Sequence, residues 1–111
     1  MKFTKSLQKN RDFQLIYDCG NSYANKYLVM FIKENNSQTN RLGISVSKKV
    51  GNSVIRHRVK RLIKESYRLQ EEMFNSGLDM VIIARSTAKG IGFLEIESAV
   101  LHLGRLHKVL K

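Results

Sequence analysis

The sequence predicts an α+β fold, a two-layer α-β sandwich in which helices cover a small mixed sheet. Three observations predict it. Apolar residues recur at helical spacing over 10–19, 53–74 and 93–110. Three runs of strand character lie between them, at 24–34, 42–46 and 80–84. The 111 residues, 42% of them hydrophobic, suffice for one core and leave no room for a second, so the chain reads as one domain over 1–111.

Met1–Ser6 is a polar lead-in without the apolar core of an export signal. In 10–19, Phe13, Ile16 and Tyr17 share a helical face, and Gly20 supplies a natural C-terminal stop. Tyr27-Leu28-Val29-Met30-Phe31-Ile32 is apolar, β-branched and aromatic, as a strand should be. After the polar stretch 35–40, Leu42, Ile44 and Val46 alternate with small residues, so a second strand forms a hairpin with the first. In 53–74, Ile55, Val59, Leu62, Ile63 and Leu69 fall in one sector at about 100° per residue. Met80-Val81-Ile82-Ile83-Ala84 is apolar at every position, the signature of a strand covered on both faces. Phe93, Ile96, Val100, Leu103, His107 and Leu110 then share the face of a last helix. The order is α-β-β-α-β-α, and any further short strand lies below the resolution of the pattern. Helices on one face of the sheet would bury the core and leave the other face open. Pro is absent, so the turns fall to Gly and Asn.

Charge is the strongest functional signal. Twenty Lys and Arg face nine Asp and Glu, a formal net charge of +11. Between Arg41 and Arg68 stand nine of those basic residues and a single acid, Glu65. On the helix, Lys60, Lys64, His57, Arg68 and Arg61 fall opposite the apolar sector, with Arg56 and Arg58 at its N-terminal boundary. Like charges four residues apart, such as Arg56/Lys60/Lys64, disfavour a helix by a few tenths of a kcal/mol per pair. A merely solvated face interleaves both signs; this one does not, which points to a polyanionic partner. A membrane surface would need the helix's apolar face, which the core requires. Nucleic acid remains, and the charges alone do not separate RNA from DNA.

Other chemistry is thinly represented. His57, His102 and His107 form no metal-ligand spacing, and the single Cys19 has no partner for a disulfide or a zinc site, which fits a reducing, cytoplasmic compartment. The acids are scattered, and no phosphate-cradling Gly pattern occurs. A self-sufficient nuclease is therefore disfavoured against a non-catalytic nucleic-acid-binding module, of which a ribosomal or RNA-chaperone-like protein would be an example.

A resemblance sharpens this reading. Ser45-Val46-Ser47-Lys48-Lys49, then Gly51-Asn52-Ser53-Val54, then Arg56-His57-Arg58-Val59-Lys60-Arg61 up to Lys64, resemble the protein component of bacterial ribonuclease P. The family pattern is Ser-x-Ser-Lys-Lys, Gly-Asn-Ala/Ser-Val, and Arg-Asn-Arg-x-Lys-Arg-x-x-Arg. Outlying segments match in order: Lys9-Asn10-Arg11-Asp12-Phe13 leading to Tyr17 and Gly20, Ser22-Tyr23-Ala24-Asn25-Lys26, and Ile82-Ile83-Ala84-Arg85. Two positions depart from it: His57 stands at the central Asn, and Lys64 at the last Arg, keeping the charge without the bidentate fork.

The resemblance implies a ribosomal-protein-like sandwich with a left-handed β-α-β crossover. It implies a subunit that carries no catalytic residue of its own. The subunit assists a catalytic RNA, with magnesium ions held mainly by that RNA, in removing the 5′ leader of precursor tRNA. The RNA-binding surface would be Lys48, Lys49, Arg56, His57, Arg58, Lys60, Arg61, Lys64 and Arg68. The leader would enter a cleft at Phe13, Tyr17 and Phe31. By residue type alone these aromatics could equally be core. The implied partners are the catalytic RNA and precursor tRNA, with no membrane and no protein partner required.

Overall fold

The apolar run at 80–84 becomes the centre of a five-stranded mixed sheet. In the computed structural model, which describes residues 1–111, the elements are β1 (Thr4–Ser6), α1 (Asn10–Cys19), β2 (Asn21–Ala24), β3 (Leu28–Glu34), β4 (Asn40–Ser45), α2 (Ser53–Leu69), β5 (Leu78–Ala84) and α3 (Phe93–Leu106). Short 3-10 turns follow α2 at Glu71–Met73 and β5 at Ser86–Ala88. The strand order is β1-β4-β5-β3-β2.

β4 runs parallel to β5, with Leu42 opposite Met80, and β3 runs antiparallel to it, with Met30 opposite Ile82. The expected hairpin of β3 with β4 is therefore split. β5 is apolar on both faces and has a neighbour on each edge, so it sits between the two strands. The 35–39 loop crosses over the start of β5: Asn35 donates its backbone N–H to Gly77 O (2.9 Å) and its Nδ2 to Asp79 (2.9 Å). The true hairpin is β2–β3.

Two strands escaped the pattern, β1 in the polar lead-in and β2 after Gly20. Both are sheet edges, and most of their side chains are exposed, so neither carries an apolar alternation to read. Gly20 does stop α1, in an extended conformation (φ −83°). It is glycine because a Cβ there would lie 2.6 Å from Ile16 O.

Helices α2 and α3 cover one face. Val59, Ile63 and Tyr67 from α2 and Ile96, Val100 and Leu103 from α3 pack on Leu28, Met30, Met80 and Ile82. The expectation of an open second face is corrected: α1 lies there, with Ile16 packed on Leu7 and Val81, and Phe13, Tyr17 and Phe31 around them. The buried stripe of α2 also differs from expectation. It runs through Val59, Ile63, Ser66 and Tyr67, while Leu69 is 52% exposed. The helix stops at Leu69, and Glu71 in the following turn is buried, accepting the backbone N–H of Lys2 (2.8 Å) and Phe3 (3.0 Å). α3 ends at Leu106, and Lys108 in the left-handed region (φ 59°) turns the chain back.

Asp79 is the one buried acid in the central strand. Arg41 holds it through Nε (2.8 Å) and Nη2 (2.6 Å), and Arg41 Nη1 reaches Asp12 of α1 at 3.5 Å. Burial alone would push the Asp79 carboxyl up, but the hydrogen bonds from Arg41 and Asn35 outweigh it and hold the group below the ordinary range. A depressed carboxylate contributes stability that is complete above its unfolded pKa, about 3.9, and is lost as pH falls through the lower folded value. Asp79→Asn should therefore cost about 2 kcal/mol at neutral pH, read as a lower urea midpoint at unchanged slope. The variant should also lose stability less steeply than the parent below about pH 4; parallel acid limbs would show that Asp79 is not the responsible group.

Candidate nucleic-acid interface

The cationic surface is built by the way α2 starts and by what it buries. Val50, 1% exposed, pins the 46–51 loop into the core and leaves Lys48 and Lys49 outside. Asn52 then caps the helix, its Oδ1 accepting the Ile55 N–H at 3.0 Å. With Val59, Ile63 and Tyr67 turned inward, His57, Arg58, Lys60, Arg61, Lys64 and Arg68 are all exposed. Arg56 is half-buried at the boundary, and its Nε is enclosed without a hydrogen-bond partner. No acid stands in the first turn of α2.

The charges are not equivalent. Arg68 is paired bidentately with Glu65, the only acid of the helix. Arg58 donates Nη2 to Ile91 O (3.0 Å), which ties the helix to the loop after β5 and orients the guanidinium. Lys48, Lys49, Lys60, Arg61 and Lys64 make no ion pair. Arg58, Arg61, Lys64 and Arg68 line a groove of about 590 Å³ along the helix. Arg41, which belongs to the same basic stretch of sequence, is not part of this surface: its charge is spent on Asp79 and Asp12 on the opposite face of the sheet.

The three aromatics do come together. Phe13 and Tyr17 ring centroids are 6.4 Å apart, and Tyr17 meets Phe31 edge-on at 5.1 Å. All three are half-buried, packed on the small cluster under α1 with part of each ring left to solvent. Burial pushes the Tyr17 hydroxyl above its ordinary pKa, opposed by a hydrogen bond with Ser45. Phe13 lies directly on the backbone of β4, where a Cβ at Gly43 would sit 2.5 Å from its Cζ. Gly43 is thus a site residue that the sequence reading passed over. An isolated glycine inside a strand pattern is the signal that could have marked this close approach.

The platform and the basic helix share a boundary. Phe13, Ile44, Lys60 and Lys64 line one groove of about 390 Å³ around the β4 edge of the sheet. Elsewhere the polar side chains serve the fold. Asn25 donates to Ala99 O (3.0 Å) and lies 3.2 Å from His102 Nδ1. His107 donates Nε2 to Met30 O (2.8 Å), and its burial lowers its pKa. Cys19 is an exposed free thiol. No three His, Cys, Asp or Glu side chains converge on a point that could hold a metal. No helix is long and apolar enough to cross a membrane.

Comparison with known proteins identifies the family and its fold. The family model described as Ribonuclease P matches residues 1–107. The ribonuclease P protein component of Lachnoclostridium phytofermentans is 56% identical, covering 96% of this chain and 92% of the relative. That of Alkaliphilus metalliredigens is 52% identical and covers 99% of each chain. Among solved structures, the RNase P protein of Staphylococcus aureus superposes with a TM-score of 0.87 at 38% identity, covering 96% of this chain and 97% of that one. The Thermotoga maritima protein does so at 0.83 and 31%, covering 91% and 96%. Matched along nearly its whole length in both sequence and fold, the chain belongs to the ribonuclease P protein family.

Proposed function

We propose that the chain is the protein subunit of a ribonuclease P holoenzyme, binding a catalytic RNA through the outer face of α2 and the 5′ leader of precursor tRNA over the Phe13–Tyr17–Phe31 platform. The observation that carries the reading is the row of cations left without acidic partners, Lys48, Lys49, Lys60, Arg61 and Lys64. Such a face gains most from releasing the counterions of a polyphosphate. Arg58 and Arg61 offer planar forks for phosphate, and the lysines act as point charges. The half-buried aromatics suit unpaired bases of any sequence, since every base has a face to stack.

The chain's own residues bind and orient; none is arranged for proton transfer or nucleophilic attack. The chemistry of hydrolysis belongs in this reading to magnesium ions held mainly by the RNA. The protein's donor set supports this, because its carboxylates are committed to Arg41, Arg68 and backbone amides or lie apart. Precursor tRNA and the catalytic RNA are the partners, and the bacterial cytoplasm the compartment.

Three reactions test the assignment: precursor tRNA with the protein, with a cognate catalytic RNA at low magnesium, and with both. Cleavage should be stimulated only by the combination; cleavage by the protein alone would overturn it. Lys49→Ala and Arg61→Ala should each lower the salt slope of RNA binding by about 0.7–0.9. Glu65→Gln, which frees Arg68, should steepen it. Phe31→Ala should weaken binding of leader-bearing tRNA by about 1–3 kcal/mol and leave mature tRNA unchanged. Gly43→Ala, by displacing the Phe13 ring, should give a smaller loss of the same kind; equal losses for both tRNAs would assign the rings to the core.

A further inference from the structure

The groove that joins the platform to the helix has a main-chain wall. β1 pairs with β4 only at Asn40, Arg41 and Leu42, and no strand lies opposite Gly43–Ser45 on that edge. Leu7 N–H donates to Leu42 O (2.9 Å), so the Leu42 carbonyl faces β1. Backbone groups of alternate strand residues point to the same side. The N–H and C=O of Ile44 therefore face the open edge, beyond the last residue that β1 pairs. They open into the groove of about 390 Å³ between the Phe13 ring and the ammonium groups of Lys60 and Lys64, whose lining contains no acid.

We infer that this edge is a ribose-reading subsite: a single-stranded RNA leader leaves the aromatic platform between Phe13 and Lys60/Lys64, and one of its 2′-hydroxyls bonds the N–H and C=O of Ile44. The inference rests on the leader reading above and specifies the class of strand the cleft accepts. A hydroxyl both donates and accepts, so one oxygen can satisfy the two groups, where deoxyribose offers nothing. The lysines place cations for the flanking phosphates, and Phe13 gives a face for the adjoining base. Charge and shape favour nucleic acid over a peptide strand. The open edge presents a single residue's pair of groups, too little to hold a peptide.

β1 makes the subsite by being short. Two more residues of pairing would satisfy Ile44 and fill the groove. Instead the chain leaves the sheet at Leu7, which is buried under α1 on the other face.

The test is a 2′-deoxy scan of the leader, one nucleotide at a time, in precursor tRNA bound by the holoenzyme. The nucleotide at the scissile bond is left out because its sugar takes part in the reaction. One leader position should show a loss of affinity of about 3- to 10-fold, the value of one or two hydrogen bonds. Ile44→Pro, which removes an N–H that no strand uses, should abolish that penalty and reduce the preference for leader-bearing over mature tRNA by about the same factor. The scan uses the unaltered protein and so reads the groove whether or not the proline variant folds. A flat scan with the leader preference intact would overturn this inference alone and leave the edge to a peptide or to water. Equal binding of leader-bearing and mature tRNA would overturn it together with the cleft assignment.

Discussion

Everything in this molecule depends on one strand that no face of which can meet water. Leu78–Ala84 is buried along nearly its whole length, so it must be covered above, below and on both edges. The edge requirement separates β3 from β4 and makes the loop between them span the strand. One face takes the apolar stripes of α2 and α3, which turns the cations of α2 outward. The other face takes α1, which brings Phe13 and Tyr17 over Phe31. Both candidate surfaces are by-products of hiding the same seven residues.

The acids are distributed to the same effect. Asp79 and Asp12 hold Arg41, Glu71 holds the N-terminal strand, and Glu95 accepts the Gly92 N–H at the start of α3. Each does structural work away from the exposed face of α2, where only Glu65 stands. Of the cations only Arg41 and Arg68 are paired; the other acids named hold backbone amides, and the rest of the α2 face stays bare. The high dielectric of water keeps the repulsion along α2 to a few tenths of a kcal/mol per i,i+4 pair.

The three helices, the three apolar strands and the basic face were legible because each rests on periodicity or charge count, properties of neighbouring residues. The pairing of strands was not. β3 and β4 read as a hairpin because they are adjacent in sequence, whereas the strand both pair with comes 38 residues after β4 and 44 to 56 after β3. β1 and β2 were invisible because edge strands bury too little to leave a pattern. Leu69 falls in the apolar sector by angle, but the buried stripe is rotated from that sector and is completed by Tyr67, whose hydroxyl meets Thr4 Oγ1 at 2.8 Å across the sheet edge. For the aromatics, residue type left core and cleft open, and half-burial is a tertiary property. Arg41 shows the limit of counting charge: nothing near it in the sequence announces that Asp79 will neutralise it.

The split hairpin also dictates an order of events. Until residues 78–84 arrive, β3 and β4 have no shared neighbour, and the apolar sides of α1 and α2 have no sheet to rest on. Leu28 waits for Ala84, and the backbone of Lys2 for Glu71, 69 residues downstream. Loop closure of that kind is slow relative to local pairing. On the ribosome the first two-thirds of the chain would emerge without a stable resting structure, and the sheet would lock in one cooperative step when its middle strand slides between partners already made.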